Sequence, residues 1–566
     1  MGIFWKPYGN LDVSTDPSQL PQSVDSSGNS IESGALTRCK NLRLNQEGVA
    51  KTRDGSTKLN ETAMAVAIGH IVEQGGNRYS MGTIIYRDEV SIGTGYASAA
   101  WSSIRYNAFN STQQNIFALN GSDRIRVYGS TVYQWGITAP AAAPVAAIGT
   151  ATGLTGAYSA KISYCRKEGS TVVSESNLSP ASNTVNLTND KLSVTWTDPT
   201  DSQITHIRLY RTLAGGLVYF FDQDIAIGVG TIASSTADSA LGSLGPTDHD
   251  RPPAGTAVIG PNYDGACFIL KSNLVHFCAA KQPEYWPLTY YVEAGSIDFP
   301  LQAGCFWNGL LYVASKHEIY QIAGTGPQTY FPIAQSALTG ARGRYCMLPV
   351  KGYGVVHVGL DGLYLFNTAS DIKLTQGQFD KIFQGETAGA MPGVGSLDNA
   401  WLIQYQNLLY FGYAAAASTY PRHIIVMDLT NKKAIYYDWG LEIAAICVDH
   451  ANERLLGVDS AGYVRYLENP NVTTDDGTAI DWDIQSKDFT LSTRAHFPRW
   501  NKYDVDASAA TSAWGALMLD DVALHTHTLT GTRSTRRRLV ETGNGQRCAI
   551  RLYGSGPVSI YAVESE

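Results

Sequence analysis

Apolar and polar residues alternate with a period of two along most of this chain, and turn residues cut the alternation at short intervals. The stretch "CKNLRLNQEGVAKTRDGSTKLN", Cys39 to Asn60, sets the pattern. Leu42 and Leu44 point one way, and Asn41 and Arg43 the other. A turn follows at Glu47-Gly48, then a second run, then a turn at Asp54-Gly55. Successive side chains of a strand face opposite sides, so this reads as a hairpin. The cadence recurs. "CFWNGLLYVASKHEIYQIAG" is strand, polar turn and strand, and "GYGVVHVGLDGLYLFNTAS" repeats it with Asp361-Gly362 at the hairpin turn. "QNLLYFGY" precedes "HIIVMDLTNKKAIYYDWG", which turns at Asn431-Lys432-Lys433. "ERLLGVDSAGYVRYLENP" turns at Ser460-Ala461-Gly462. "NIFALNGSDRIRVYGSTVYQWG" and "GACFILKSNLVHFCAA" carry the same rhythm. Helical periodicity is nearly absent, with "GALTRCKNL" the one short candidate. A spacing of roughly 40–50 residues between such units predicts an irregular β-propeller of four-stranded blades.

One region departs from the repeat. It is bounded by "TAPAAAPVAAIGTATG" and "LGSLGPTDHDRPPAGTA", both rich in Pro, Gly and Ala. Inside it, Tyr158, Ala160, Ile162 and Tyr164 share one face, and "KLSVTWTDP" places Trp196 at the centre. About a hundred residues of short antiparallel strands predict a small sandwich resembling a fibronectin type III domain, inserted into a propeller loop. At the C-terminal end, Cys548, Ile550 and Leu552 share a face opposite Arg551 and Tyr553. A Gly-Ser-Gly-Pro turn follows, then Val558, Ile560 and Ala562 on a return strand, which predicts a terminal hairpin at the end of a sandwich. The expected organisation is all-β. Residues 1–60 form an N-terminal platform segment, 61–137 the first part of the propeller, 138–253 the insert, 254–470 the rest of the propeller, and 471–566 a C-terminal β platform.

Composition changes the picture in three ways. At 566 residues the chain needs several cores, and its 44% apolar residues can supply them. Charged residues are only 16%, against about 25% in an average domain, while glycine numbers 55 and tyrosine 32. The net charge of −8 argues against a sequence-independent nucleic-acid clamp, which needs a basic face. It leaves room for a channel along which DNA slides without sticking. Eight cysteines are scattered without a CxxC pair and sit in apolar alternations, so reduced, buried thiols are expected. "MGIFWKPYGN" has no apolar core of a signal peptide, and Lys6 stands where a myristoylation signal wants Ser or Thr. No apolar run reaches the roughly 18 residues of a spanning helix.

Candidate chemistry is sparse. His525 and His527 could offer two imidazoles from one strand face, but no third ligand lies near in sequence. Arg533, Arg536, Arg537 and Arg538 form one basic cluster, which reads as a solvated edge, a contact to an acidic neighbouring subunit, or a phosphate contact. "GSGPVS" and "GTGPQ" are turns and not phosphate cradles, because no helix start and no Lys-Ser/Thr follows. Asp361, Asp428, Asp459 and Asp481 lie at turns or strand ends, where Asp usually caps backbone. A glycosidase pair would be assembled from distant loops, and nothing selects one. No catalytic, cofactor-binding or metal residue is assigned, no cofactor is expected, and the chain is read as no enzyme.

The opening hairpin resembles the start of tail nozzle or tail-hub proteins of short-tailed bacteriophages, through Asn41-Leu42, Gly48, Lys51, Arg53 and Gly55, with Asp54 where a Pro is common. "SESNLSPASN", "IRLYRTLAGGLVYFF" and "DHDRPPAG" are similar to an insert in such proteins, and "DWDIQSKDF" and "RLYGSGPVSIYAVESE" to their ending, so the likeness spans residues 36–566. The resemblance implies a structural virion protein, assembled in host cytoplasm and resident in the tail. About six copies would form a homo-oligomeric ring below the portal and its adaptor, around a channel for DNA ejection. Tail fibres or a tail needle are further partners, with no membrane span and no sequence-specific DNA contact. The hairpin would then be scaffold, with Arg43 and Arg53 facing polar or acidic partners. The alternative is a propeller that binds or depolymerises host-surface carbohydrate, with some of the 11 Trp and 32 Tyr as stacking platforms.

Overall fold

The computed structural model describes residues 3–7, 10–20, 23–24, 30–31, 35–44, 49–108, 110–430, 433–490, 500–531, 535–538 and 547–565. The Glu47-Gly48 turn, Asn431, Lys432 and Arg533 lie outside them. The fold is all-β. Among the described residues the helices are one α-turn at Asp380–Phe383 and two 3₁₀ turns, and none is long and apolar enough to cross a membrane. The chain forms two compact units. One comprises Met1–Thr83, Lys316–Ile319 and Ser336–Glu566; the other comprises Ile84–Ser315 and Tyr320–Gln335.

In the first unit, three antiparallel meanders follow the repeat read from the sequence; one is a four-stranded sheet by itself, and the other two belong to larger sheets of ten and six strands. One is Met347–Val350, Gly354–Val358, Leu363–Phe366 and Asp371–Lys373. The next is Val394–Tyr405, Leu408–Ala415, His423–Asp428 and Lys433–Asp438. In the third, Ile443–Asp449, Arg454–Asp459 and Val464–Asn469 are completed by Gly55–Lys58 from far upstream. Continuous apolar runs mark strands covered on both faces, and Leu409 to Ala414 are all buried. Gln406 and Asn407, both at positive φ (48° and 65°), give the tight turn that matches strand twist.

The chain ends of this unit extend the second meander's ten-stranded sheet and build one further sheet. Asp481–Ser486, Arg547–Ser555, Ser512–Leu519 and Val522–Thr528 pair in that order. In the other sheet, Ser559–Ser565 pairs with Trp500–Asp506, Ile3–Trp5 and Ala50–Thr52, and Ala50–Thr52 pairs with Leu42–Leu44. The Tyr503 ring lies over Gly515, where a Cβ would stand 2.7 Å from it, so the two sheets pack face to face.

Three sequence expectations are corrected here. "GALTRCKNL" is strand, not helix: Leu36–Lys40 pairs antiparallel with Asp481–Ser486 and touches Tyr436 in parallel, and these partners outweigh a weak local preference. Gly55 opens a strand instead of closing a turn; a Cβ there would meet the Thr474 carbonyl oxygen at 2.1 Å, so glycine permits the close approach of Thr474–Asp475. The terminal segment is not a hairpin. Arg547–Ser555 and Ser559–Ser565 belong to different sheets, because the chain crosses over at Gly556 (φ 85°), whose N–H reaches the Ile480 carbonyl at 2.9 Å.

The second unit contains the four-stranded sheets Ser102–Tyr106, Asn115–Leu119, Arg124–Tyr128, Thr131–Gln134 and Ala257–Ile259, Phe268–Lys271, Leu274–Phe277, Tyr291–Glu293. Between them in sequence lies the insert, a two-sheet sandwich. Val145–Tyr158, Val185–Thr195 and Thr231–Ser234 form one sheet; Thr171–Glu175, Ala160–Glu168, His206–Arg211 and Phe220–Ala226 form the other. Tyr158, Ala160, Ile162 and Trp196 share its core with Leu187, Leu209 and Ile225, and Tyr164 packs against it. The insert is tied down by buried charge. Arg166 donates from Nη2 to Glu284 Oε1 at 2.5 Å, and Arg126 Nε stands 4.0 Å from the same oxygen. Burial would raise the Glu284 carboxyl, but Arg166 and Arg126 hold it below its usual value.

Gly412 gives a test of the packing. A Cβ there would lie 2.4 Å from the Trp401 ring, which is buried, stacked on Trp439 and hydrogen-bonded through Nε1 to the Ile443 carbonyl. Gly412→Ala is expected to destabilise the chain by about 1–3 kcal/mol, read as a lower urea or thermal midpoint. An unchanged midpoint would contradict this packing.

Candidate functional site

A dense polar constellation is centred on Arg53, at the end of the opening hairpin. Arg53 is 2% exposed and uses every N–H it has. Nε donates to Asn41 Oδ1 at 3.1 Å, Nη1 to the Asp54 carbonyl and Asp475 Oδ1, and Nη2 to the Asp438 carbonyl and Asp475 Oδ2. Burial disfavours the charged guanidinium, but Asp475 outweighs it and raises the pKa. Asn41 is held at φ 57°, a region Asn tolerates better than most residues. Its Oδ1 also accepts from the Asp438 N–H at 2.8 Å, and its Nδ2 donates to the Asp481 carbonyl at 2.7 Å.

A second arginine completes the cluster. Arg43 donates to Asp54 at 2.9 Å and to Glu468 at 2.8 Å, with Nε 3.4 Å from the Tyr437 hydroxyl. Glu468 is buried and also accepts from Trp439 Nε1 at 3.0 Å; burial raises its pKa, which Arg43 and Arg53 only partly oppose. Beside this cluster opens a cleft of about 280 Å³, lined by Lys40, Arg422 and Arg465 and by Asp438, Asp475, Asp476 and Asp481. Asp438 takes Arg422 Nε at 2.8 Å, Lys40 Nζ at 3.3 Å and the Gly440 N–H at 2.9 Å. Burial opposes its charge, but Arg422 and Lys40 hold it well below the usual carboxylate range. A carboxylate so held does not store a proton, so Asp438 is unsuited to general-acid work.

The other sequence candidates fall apart spatially or are already engaged. Asp361 accepts from the Tyr364 hydroxyl at 2.8 Å and Lys373 at 3.0 Å. Asp428 caps the Thr430 N–H at 2.9 Å. Asp459 takes the Ala461 and Tyr463 N–H groups and Arg465 Nε at 2.6 Å. Asp481 is exposed at the rim of the cleft. His525 and His527 sit on Val522–Thr528 with ring centroids 5.1 Å apart, and no group of three metal-ligating side chains occurs among the described residues. Arg536, Arg537 and Arg538 lie on the strand Thr535–Arg538, paired with Trp500–Asp506.

Sequence reading singled out Arg43 and Arg53 but missed Glu468, Asp475 and Asp438, because those partners come from strands more than 380 residues away. It also missed an open cleft of about 590 Å³ in the second unit, lined by Tyr164, Thr195, Trp196, Asp198 and Asp201. There Asp198 accepts from Trp196 Nε1 and the Gly228 N–H, and Asp201 from the Gln203 N–H and Nε2.

No family model and no curated protein matches the chain. Solved structures similar to it include an exo-beta-1,3-galactanase from Phanerochaete chrysosporium with galactose, at 7% identity, covering 54% of this chain and 94% of that one, with a TM-score of 0.23. Hsv2 of Kluyveromyces lactis is 10% identical and covers 48% and 67% respectively, also at 0.23. Likeness at this TM-score carries no argument about architecture or activity.

Two outcomes test the cluster. Asp475→Ala strands Arg53 as a buried unpaired charge and is expected to cost about 3–5 kcal/mol in urea unfolding of the full chain. The ionised form of Asp438, whose folded pKa lies below the ordinary 3.8, adds stability above that value and loses it as pH falls towards the folded pKa. Asp438→Asn is therefore expected to be less stable than wild type near pH 6, with the gap closing as unfolding is measured at pH values falling to about 3.

Proposed function

We propose that this chain is a structural subunit of a short-tailed phage tail, forming a ring of about six copies below the portal and adaptor around the channel for DNA ejection. The observation that carries the reading is where the residues of the resemblance stand. Asn41, Arg53 and Gly55 are buried in a joint between chain-distant strands, where they hold backbone and leave no group free for chemistry. That is the behaviour of a scaffold motif. In this reading the four-stranded units are blades of an irregular propeller, the insert is a fibronectin type III-like module offering a place for fibres, and the two sheets that the chain ends extend or build are the platform. The protein works by shape and is no enzyme.

A second reading is favoured by one observation. The cleft of about 590 Å³ places the half-buried Tyr164 beside polar Thr195, Asp198 and Asp201, with Trp196 in the core behind it, so that the Tyr164 ring is suited to stacking on a sugar. This supports a host-surface carbohydrate-binding or depolymerising role.

Antibody raised against the recombinant chain, applied to intact particles from a matching lysate, is expected to label the distal end of the short tail on its axis. Label on peripheral fibres, or on no particle, would overturn the ring. Binding to or reducing-sugar release from host polysaccharide, lost in Tyr164→Ala, would then establish the carbohydrate reading.

A further inference from the structure

Two of the eight cysteines face each other across paired strands. Phe268–Lys271 and Leu274–Phe277 pair with Phe268 opposite Phe277, and Cys267 and Cys278 are the next residues beyond that pair, joined by a backbone hydrogen bond. The Cys278 N–H donates to the Cys267 carbonyl at 3.1 Å, and the Cys267 N–H points at Cys278 Sγ at 3.1 Å. Both side chains enter one apolar cluster with Phe117, Trp135 and Trp286. Directly opposed residues in an antiparallel pair have Cα atoms about 4.5–5.5 Å apart. Disulfides take Cα separations of about 4.4–6.8 Å. Across the strand pairings, Cys39 stands opposite Ile484, Cys165 opposite His206 and Glu175, Cys305 opposite Tyr312, Cys447 opposite Leu456, and Cys548 opposite Leu519 and Phe489, while Cys346 is directed at the Ala400 carbonyl.

We propose that Cys267 and Cys278 form a latent disulfide site, which closes when the chain meets a two-electron oxidant. With an oxidant of the diazene class, both S–H bonds break and the Sγ–Sγ bond forms. The two electrons and two protons reduce the N=N bond to a hydrazine. The bridge staples the two central strands of their sheet. Burial, and the neighbouring thiol, push the Cys267 thiol well above its ordinary pKa, so little thiolate is present and closure waits on brief opening of the sheet. The site stands independently of the functional reading.

The test treats the folded full chain with diamide, quenches with acid, unfolds it and alkylates what remains. Six of the eight thiols are expected to be alkylated, with one cross-linked peptide joining Cys267 to Cys278 and two hydrogens lighter than the reduced pair. The oxidised chain should also unfold at a higher midpoint than the reduced one, and Cys278→Ser should show no cross-link and no such rise. Alkylation of all eight thiols, cross-links scattered over other cysteines, or sulfinic or sulfonic acids in place of the bridge would each overturn the proposal.

Discussion

The Arg53 guanidinium, buried with all five N–H groups occupied, is the constraint on which the first unit turns. A charge in that position is tolerable only if its partners arrive together. Asp475 supplies the counter-charge, Asn41 and the Asp54 and Asp438 carbonyls supply the remaining acceptors, and each comes from a different strand or strand end. Three stretches far apart in sequence are thereby held in register. Such a cluster adds less stability than its contacts suggest, since desolvation offsets much of the attraction, and its stronger effect is to reject other arrangements. Asn41, which links Arg53 to Asp438 and Asp481, makes the same point with neutral hydrogen bonds.

Edges explain why the N-terminal segment is used this way. A sheet edge exposes unpaired N–H and C=O groups and invites wrong pairing. Gly55–Lys58 covers the edge strand Val464–Asn469, and Leu36–Lys40 lies between Lys433–Asp438 and Asp481–Ser486. The chain ends close edges that the meanders leave open. In the second unit Glu284, flanked by Arg126 and Arg166, fixes the insert to its neighbours by the same device of a buried, paired charge. In both units apolar alternation builds the sheets and buried ions mark the joints.

This division bears on function. The cations and carboxylates of the Arg53 cluster and its cleft hold one another, so their electrostatics serve position. The cleft beside Tyr164 and Trp196 differs in kind, because it is open and aromatic, and its carboxylates are turned towards their own loops.

By itself the sequence determined the all-β class, the cadence of short strands and the face on which Tyr158, Ala160 and Ile162 lie. These follow from period-two patterning and turn residues, which act over a few neighbouring positions. It also marked Arg43 and Arg53 as residues to watch. Only the tertiary structure decided their partners, the strand made of "GALTRCKNL", the role of Gly55 as a point of close approach, the crossover at Gly556, and the meeting of Cys267 with Cys278. Local propensity says nothing about which distant backbone will satisfy a given N–H. A buried arginine or a strand edge is completed by whatever the folded chain brings to it, and that choice is made by the packing of the whole unit.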